Sequence, residues 1–130
     1  MLSLNYRSSQ PLHLRVQEGL RHLIVTGTIR EGEKLPSVRA LASSLAINPN
    51  TIQRAYEALE TEGYLVSEAG KGSFAARREQ VGQERRERLL HTFDETAGEL
   101  LFLGMTAQDL ALRLRDAEKG AQREEKEENP

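Results

Sequence analysis

The chain has 130 residues, of which 29% are charged and 38% hydrophobic; it contains no cysteine and carries a formal net charge of −2. This length allows one core domain plus an appendage, and the lack of cysteine excludes a disulfide framework. No apolar run approaches the roughly 20 residues that a membrane span needs. The start of the chain also lacks the pattern of a signal peptide, so we expect a cytoplasmic protein with no membrane partner.

The charged residues are unevenly distributed. Residues 1–75 contain eight Lys and Arg against seven Asp and Glu, whereas residues 76–130 contain ten against thirteen. A nearly neutral N-terminal part can still bind nucleic acid if its few cations lie on one face. On charge alone, a domain that binds no nucleic acid is an equal alternative.

Helix signals begin at Pro11, a residue that suits the first turn of a helix because its missing N–H is not needed there. Apolar residues then recur at helical spacing as far as Ile24, and Gly27 is a typical stop signal. Ahead of this first helix, the alternation of residues 2–6 (Leu2, Leu4 and Tyr6) predicts a weak strand or an extended arm.

Two more helices are predicted close together. Ser37 can cap the second helix with its hydroxyl group. Asn48 and Pro49 combine a cap with a first-turn proline, and the third helix runs to about Glu62, before Gly63. Because only about three residues separate the two helices, they should form the angled pair of a helix-turn-helix.

A short hairpin is predicted after the third helix. Residues 64–66 and 73–75 are strand candidates, and residues 68–72 form the loop between them. A helix-turn-helix followed by such a hairpin is a winged helix-turn-helix, a shape that places one helix in the DNA major groove. We therefore predict a mainly α (α+β) fold, with this domain spanning residues 1–76.

Residues 77–118 predict a helical region. A charged linker merges into a fourth helix that Gly104 ends, and Thr106 with Asp109 resembles a capping box that begins a fifth helix. Residues 119–130 are almost devoid of apolar side chains, which predicts a disordered charged tail.

The apolar side chains of the fourth and fifth helices are more than two helices can bury on each other, which favours a symmetric homodimer. The alternative is a monomer in which both helices pack on the winged domain. The candidate dimerisation residues are Leu90, Phe93, Ala97, Leu100, Leu101, Leu110 and Leu114.

Candidate DNA-binding residues lie at the start of the second and third helices and at the hairpin tip. Asn and Gln can pair with adenine and Arg with guanine, helix N-termini attract phosphate, and glycines allow close backbone approach. Alternatively, these side chains only cap and solvate a surface helix. The set is Ser37, Arg39, Asn48, Asn50, Thr51, Gln53, Arg54, Gly70, Lys71 and Gly72.

The sequence indicates no enzyme. Its histidines, His13, His22 and His91, are scattered and do not match metal-ligand spacing. No nucleophile elbow, phosphate loop or dinucleotide-binding turn is present. We expect no catalytic residue, no metal and no cofactor, and the sequence identifies no small-molecule effector.

Four motifs resemble those of the GntR family of bacterial transcription regulators: Gly32–Arg39 (G-x-x-L-P-S-x-R), Asn50-Thr51, Ala55–Gly63 and Gly70–Phe74. The short helical tail is similar to that of the YtrA subfamily, whose tail serves dimerisation and whose members are often repressors encoded beside ABC-transporter genes. The resemblance implies that DNA is contacted by Arg39, Asn50, Thr51 and Arg54, with Gly70 and Lys71 at the wing.

Together, the residues and the resemblance predict a sequence-specific DNA-binding regulator of the bacterial cytoplasm that joins the nucleoid when bound. We expect a repressor that binds an inverted-repeat operator in double-stranded DNA as a homodimer, with transporter genes as candidate targets. The alternative is a winged-helix module that binds protein rather than DNA. The polar start of the third helix speaks against this alternative.

Overall fold

The computed structural model describes the backbone of residues 9–128 and the side chains of residues 9–120. The extended arm predicted at residues 2–6 lies outside this range. In chain order, the elements are α1 (Leu12–Val25), α2 (Val38–Leu45), α3 (Pro49–Glu62), β1 (Leu65–Glu68), β2 (Gly72–Ala75), a 3₁₀ helix (Arg78–Gln80), α4 (Gln83–Phe102) and α5 (Ala107–Glu128). The predicted mainly helical fold with a small two-stranded sheet is confirmed.

The chain divides into two compact units between Val81 and Gly82. The sequence predicts this boundary after residue 76. The difference arises because Val81, beyond the 3₁₀ helix, packs its apolar side chain against the core of the first unit.

The core of the first unit is formed by one face of each helix and the inner face of the hairpin. Its fully buried side chains include Val16 of α1 and Ile52 and Leu59 of α3. Burying side chains of this size contributes about 1.5–3 kcal/mol each. The remaining core residues are Leu20, Ile29, Leu35, Leu41, Ala42, Ala55, Tyr56, Tyr64, Leu65 and Ala75.

Both predicted caps of the helix-turn-helix are present. The hydroxyl oxygen of Ser37 accepts a hydrogen bond from the Ala40 N–H (3.1 Å), and Oδ1 of Asn48 accepts one from the Asn50 N–H (2.8 Å). Between the helices, Ala46 has a left-handed backbone (φ 54°), a conformation that disfavours a side chain. This residue reverses the chain from α2 into α3.

The hairpin pairs β1 and β2 antiparallel, with Leu65 opposite Ala75 and Glu68 opposite Gly72. The strands are slightly longer than the sequence predicts. A third, unpredicted segment lies along β2, where Lys34 forms a bridge with Phe74. Here the Leu35 N–H donates to the Ser73 oxygen (2.9 Å).

A polar cluster joins α1 to the end of α3. The Arg21 guanidinium forms an ion pair with Glu62 (3.1 Å), and the buried amide of Gln17 donates to the same carboxylate (3.1 Å). Since each buried polar group has a partner, the cluster avoids the desolvation cost of an unpaired amide. The cluster attaches the C-terminal end of α3 to α1, whereas Asn48 caps the N-terminal end of α3.

The second unit contains α4 and α5. The predicted capping box is confirmed: the Thr106 N–H donates to Asp109 Oδ2 (3.0 Å), and the Asp109 N–H donates to the Thr106 hydroxyl (3.1 Å). The pKa of the Asp109 carboxyl lies below its usual value, mainly because of the hydrogen bond from the Thr106 backbone and secondly because of the one with the Thr106 side chain.

Helix α5 continues to Glu128, whereas the sequence predicts a disordered charged tail from residue 119; the disorder of this tail stays a prediction. The composition of the segment suits a helix, because Ala, Gln, Glu, Lys and Arg are strong helix formers and an existing helix extends more easily than a new one nucleates.

Candidate nucleic-acid interface

Helix α3 separates a buried face from a polar face. Ile52, Ala55 and Tyr56 point into the core, whereas Asn50 and Arg54 are exposed. Gln53 is exposed and Thr51 half-buried, so all the predicted base-reading side chains of this helix lie at or near its solvent face. The first two turns of α3 therefore present amide, hydroxyl and guanidinium groups on one exposed surface.

Two predicted contact residues also have a local structural role. The Ser37 hydroxyl oxygen and the Asn48 amide oxygen are each occupied by a capping hydrogen bond. The Asn48 side chain keeps its NH₂ group, which is a donor. The structure thus gives both residues a capping function, and their contact with DNA stays a prediction.

The exposed polar residues of α2 and α3 differ in whether their side chains have a partner within the protein. The Gln53 amide donates to Glu57 one turn later (3.0 Å), which orients its side chain along the helix. Arg39 and Arg54 are exposed, and within the described part of the chain neither forms an ion pair. Both guanidinium groups therefore have all their donors available to a ligand.

The orientation of α3 is fixed by a hydrogen bond beneath the exposed surface. The Tyr56 hydroxyl donates to the Pro36 carbonyl oxygen (2.7 Å). Burial of this phenol raises the pKa of Tyr56 to about 12. Because Pro36 immediately precedes the Ser37 cap, the hydrogen bond connects the third helix to the start of the second.

The hairpin tip is a tight turn. The Lys71 N–H donates to the Glu68 oxygen (3.0 Å), and Gly70 has a φ of 75°. A positive φ at this third position of the turn favours glycine. Lys71 is exposed, so the tip carries a cation, as predicted. We call residues 65–75 the wing.

One cation beside the wing was missed by sequence reasoning. Lys34 belongs to the segment that runs along β2, and a Cβ atom added at Gly72 would lie 3.0 Å from its Cε. The stem of Lys34 therefore crosses the wing where Gly72 has no side chain. The only available signal was the position of Lys34 inside the Gly32–Arg39 motif, which does not specify this residue.

Several predicted dimerisation residues are exposed in the single chain. Leu90, Phe93, Leu101 and Leu114 are among the exposed large hydrophobic residues, with Leu101 47% exposed. Ala97, Leu100 and Leu110 are half-buried. Phe102 and Leu103, which the candidate set omits, are more exposed, at 87% and 70%.

No group of three metal-ligating side chains occurs within the described residues. Across the same residues, no helix has the length and apolar character needed to cross a bilayer.

Comparison with protein families gives a match to "Bacterial regulatory proteins, gntR family" over residues 12–74. This range includes α1 to α3 and nearly all of the wing. The HTH-type transcriptional regulator YhcF of Bacillus subtilis is 30% identical over 106 residues, which cover 81% of this chain and 88% of YhcF. The HTH-type transcriptional repressor YtrA of the same organism is 38% identical over 74 residues, or 57% of each chain.

Solved structures extend the similarity beyond the winged unit. A transcriptional antiterminator from Listeria monocytogenes superposes with a TM-score of 0.78 at 26% identity, covering 93% of this chain and 92% of the other. The DNA-binding domain of AraR, solved in complex with its operator ORE1, gives a TM-score of 0.50 at 28% identity and covers 58% of this chain and 93% of that domain.

The family match lies on the same helices and wing that carry the exposed polar surface, and YhcF aligns over most of both chains. The chain belongs to the GntR family of bacterial DNA-binding transcription regulators and is a YtrA-like member of it.

Proposed function

We propose that this regulator is a repressor that binds an inverted-repeat operator as a homodimer. In this proposal, the start of α3 enters the major groove of each half-site, Arg39 contacts the groove lip and the wing contacts the flanking backbone. A recognition helix reads bases with its N-terminal residues, and this is where Asn50, Gln53 and Arg54 are exposed.

The observation that carries the proposal is the contrast between the two halves of α3. The N-terminal half exposes Asn50, Gln53 and Arg54, whereas the exposed residues of the C-terminal half include Glu57 and Glu60. Carboxylates repel phosphate, while amides and guanidinium groups bind bases and phosphate. The helix is therefore suited to enter the groove by its first two turns only.

A homodimer is supported by the apolar side chains of the second unit. Leu90, Phe93, Leu101 and Leu114 are large and exposed in the single chain, and exposed apolar clusters mark association surfaces. A two-fold dimer would present two copies of α3 to two half-sites of an inverted repeat. The second unit would then be the dimerisation region.

The repressor role and the target genes rest on similarity. YtrA of Bacillus subtilis is described as a repressor, and the resemblance to its subfamily makes transporter genes the targets that we propose. The AraR domain bound to its operator supports the use of duplex DNA as the ligand. As a bacterial DNA-binding regulator, the protein would act in the cytoplasm.

The test is selection of binding sites from randomised duplex DNA at about physiological salt, using the full chain. Enrichment of an inverted repeat is the expected result, and its half-site spacing should be close to one helical turn or a multiple of it. Selection with Asn50→Ala provides the control, because it should lose enrichment at particular positions. If no sequence is enriched and binding occurs only at low salt, the protein-interaction alternative replaces this proposal.

A further inference from the structure

We propose that Lys34 is a second phosphate contact of the wing, acting beside Lys71 on the backbone of duplex DNA. This inference rests on the proposed function, because it requires that the winged unit binds DNA. It adds a cation from outside the hairpin, contributed by the segment between α1 and α2.

The backbone places Lys34 on the wing. Lys34 bridges Phe74 in an antiparallel pairing, and the flanking hydrogen bonds, from the Ala75 N–H to the Glu33 oxygen (2.8 Å) and from the Leu35 N–H to the Ser73 oxygen (2.9 Å), continue that pairing. Residues opposite each other, and residues two positions away, share one face of a sheet. Lys34, Phe74 and Gly72 therefore lie on the same face.

The Lys34 side chain passes over Gly72. A Cβ at this glycine would lie 3.0 Å from Lys34 Cε and 3.8 Å from Nζ. Real Cβ atoms rarely approach so closely, so the stem occupies space that any other residue would fill. The ammonium group thus lies beside Gly72, the residue that follows Lys71 at the tip.

Lys34 adds a second cation to the wing. Residues 65–75 contain one acid, Glu68, and one base, Lys71, so the hairpin by itself is neutral. Glu68 pairs with Gly72 across the hairpin, yet it forms no ion pair with Lys34 among the described residues. Glu33 is adjacent to Lys34 in the segment, and adjacent strand residues face opposite sides.

A cation held in this way suits a phosphate group. The ammonium has three donors, Lys34 is exposed, and it forms no ion pair with an acidic side chain among the described residues. The competing explanation is that the aliphatic stem only covers the wing and the charge is incidental. The two explanations differ in what happens when the charge alone is removed.

The experiment measures binding of the full chain to a random-sequence duplex from about 50 to 200 mM salt, for wild type and Lys34→Met. Methionine retains an aliphatic stem and removes the charge. Each phosphate contact contributes about 0.9 to the slope of log K against log salt. We expect the slope of Lys34→Met to be smaller by about 0.9, so that its affinity falls about 3-fold less than that of wild type over this range.

Two further variants serve as controls. Lys34→Arg should restore the wild-type slope, and Lys119→Met, the same change on exposed α5, should leave it unchanged. Partial unfolding of a variant shifts log K without changing the slope only where the folded fraction is independent of salt, so thermal unfolding of each variant at about 50 and 200 mM salt completes the control.

A wild-type slope in Lys34→Met overturns the inference while leaving the proposed function intact. Absence of duplex binding by wild type overturns both. A reduced slope in Lys119→Met as large as in Lys34→Met also overturns it, because the effect would then come from total charge.

Discussion

The Tyr56 hydroxyl donates a 2.7 Å hydrogen bond to the carbonyl oxygen of Pro36. It joins the middle of α3 to the residue before the α2 cap, although the two residues are distant in sequence. Tyr56 is only 5% exposed, so its hydroxyl needs a protein partner. This contact sets the relation between the helix proposed to read DNA and the helix that supports it.

Replacing Tyr56 by Phe removes this hydrogen bond while retaining the ring. The free energy of unfolding should fall by about 0.5–1.5 kcal/mol, the usual net value of one hydrogen bond. Urea denaturation at neutral pH measures the change. An unchanged midpoint and slope would show that the hydrogen bond does not stabilise the fold.

The difference in stability between wild type and Tyr56→Phe should depend on pH. Burial raises the pKa of Tyr56 to about 12, whereas tyrosine in an unfolded chain titrates near 10. Between these values the unfolded chain loses its proton first, so the stabilisation is complete below about pH 10 and is lost as the pH rises towards 12. The difference in stability between wild type and Tyr56→Phe should therefore decrease over that interval; a constant difference would contradict this assignment.

Among the residues that the structure describes, Ala46 is the one non-glycine residue with a positive φ (54°). A side chain in this left-handed conformation costs about 1–2 kcal/mol. Replacing alanine by glycine removes this cost, but the greater freedom of glycine in the unfolded chain offsets part of the gain in stability. Ala46→Gly should therefore raise the free energy of unfolding by about 0.5–1 kcal/mol. Ala58→Gly within α3 is the matched control and should lower it by about 1 kcal/mol. Thermal unfolding of both variants tests the opposite signs, and destabilisation by Ala46→Gly would contradict the prediction.

Local signals predicted the helical part of the fold well. Ser37 and Asn48 cap the helices that they were expected to cap, because side-chain oxygens next to a helical period satisfy free N–H groups within a few residues. The same locality explains the success at Thr106 and Asp109. Such features depend on a few neighbouring residues, which a sequence displays directly.

Contacts between distant residues were not predictable in this way. The pairing of Lys34 with Phe74 has no alternation of its own, since Gly32 to Pro36 has the composition of a turn. The hydrogen bond from Tyr56 to Pro36 was equally hidden, because helical spacing marks Tyr56 only as an inward residue. The candidate DNA-binding set accordingly included the wing tip and omitted Lys34.

Substitutions of Asn48 and Asn50 distinguish helix capping from DNA contact. Asn48→Ala removes the 2.8 Å cap on the Asn50 N–H and should cost about 1 kcal/mol of stability. Asn50→Ala, on the exposed first turn, should change stability by no more than about 0.5 kcal/mol, while weakening binding to the selected operator. Chemical denaturation and operator titration of both variants test this division, which equal destabilisation by the two changes would contradict.

Leu101 is 47% exposed on α4 and belongs to the proposed dimerisation surface. A buried carboxylate without a partner is strongly unfavourable, so Leu101→Glu should convert the dimer to monomer in sedimentation. Gln83→Glu, on the exposed first turn of the same helix, is the control and should remain dimeric. Persistence of the dimer in Leu101→Glu would remove this residue from the interface.

The most direct test of the account compares Arg54→Ala and Lys71→Ala on the selected operator and on random duplex DNA. If α3 reads bases and the wing contacts the backbone, Arg54→Ala should cost about 1–3 kcal/mol on the operator and relax the preference at one position per half-site. Lys71→Ala should weaken binding to both duplexes alike and reduce the salt slope by about 1. Equal losses on operator and random DNA for both variants would contradict base reading by α3.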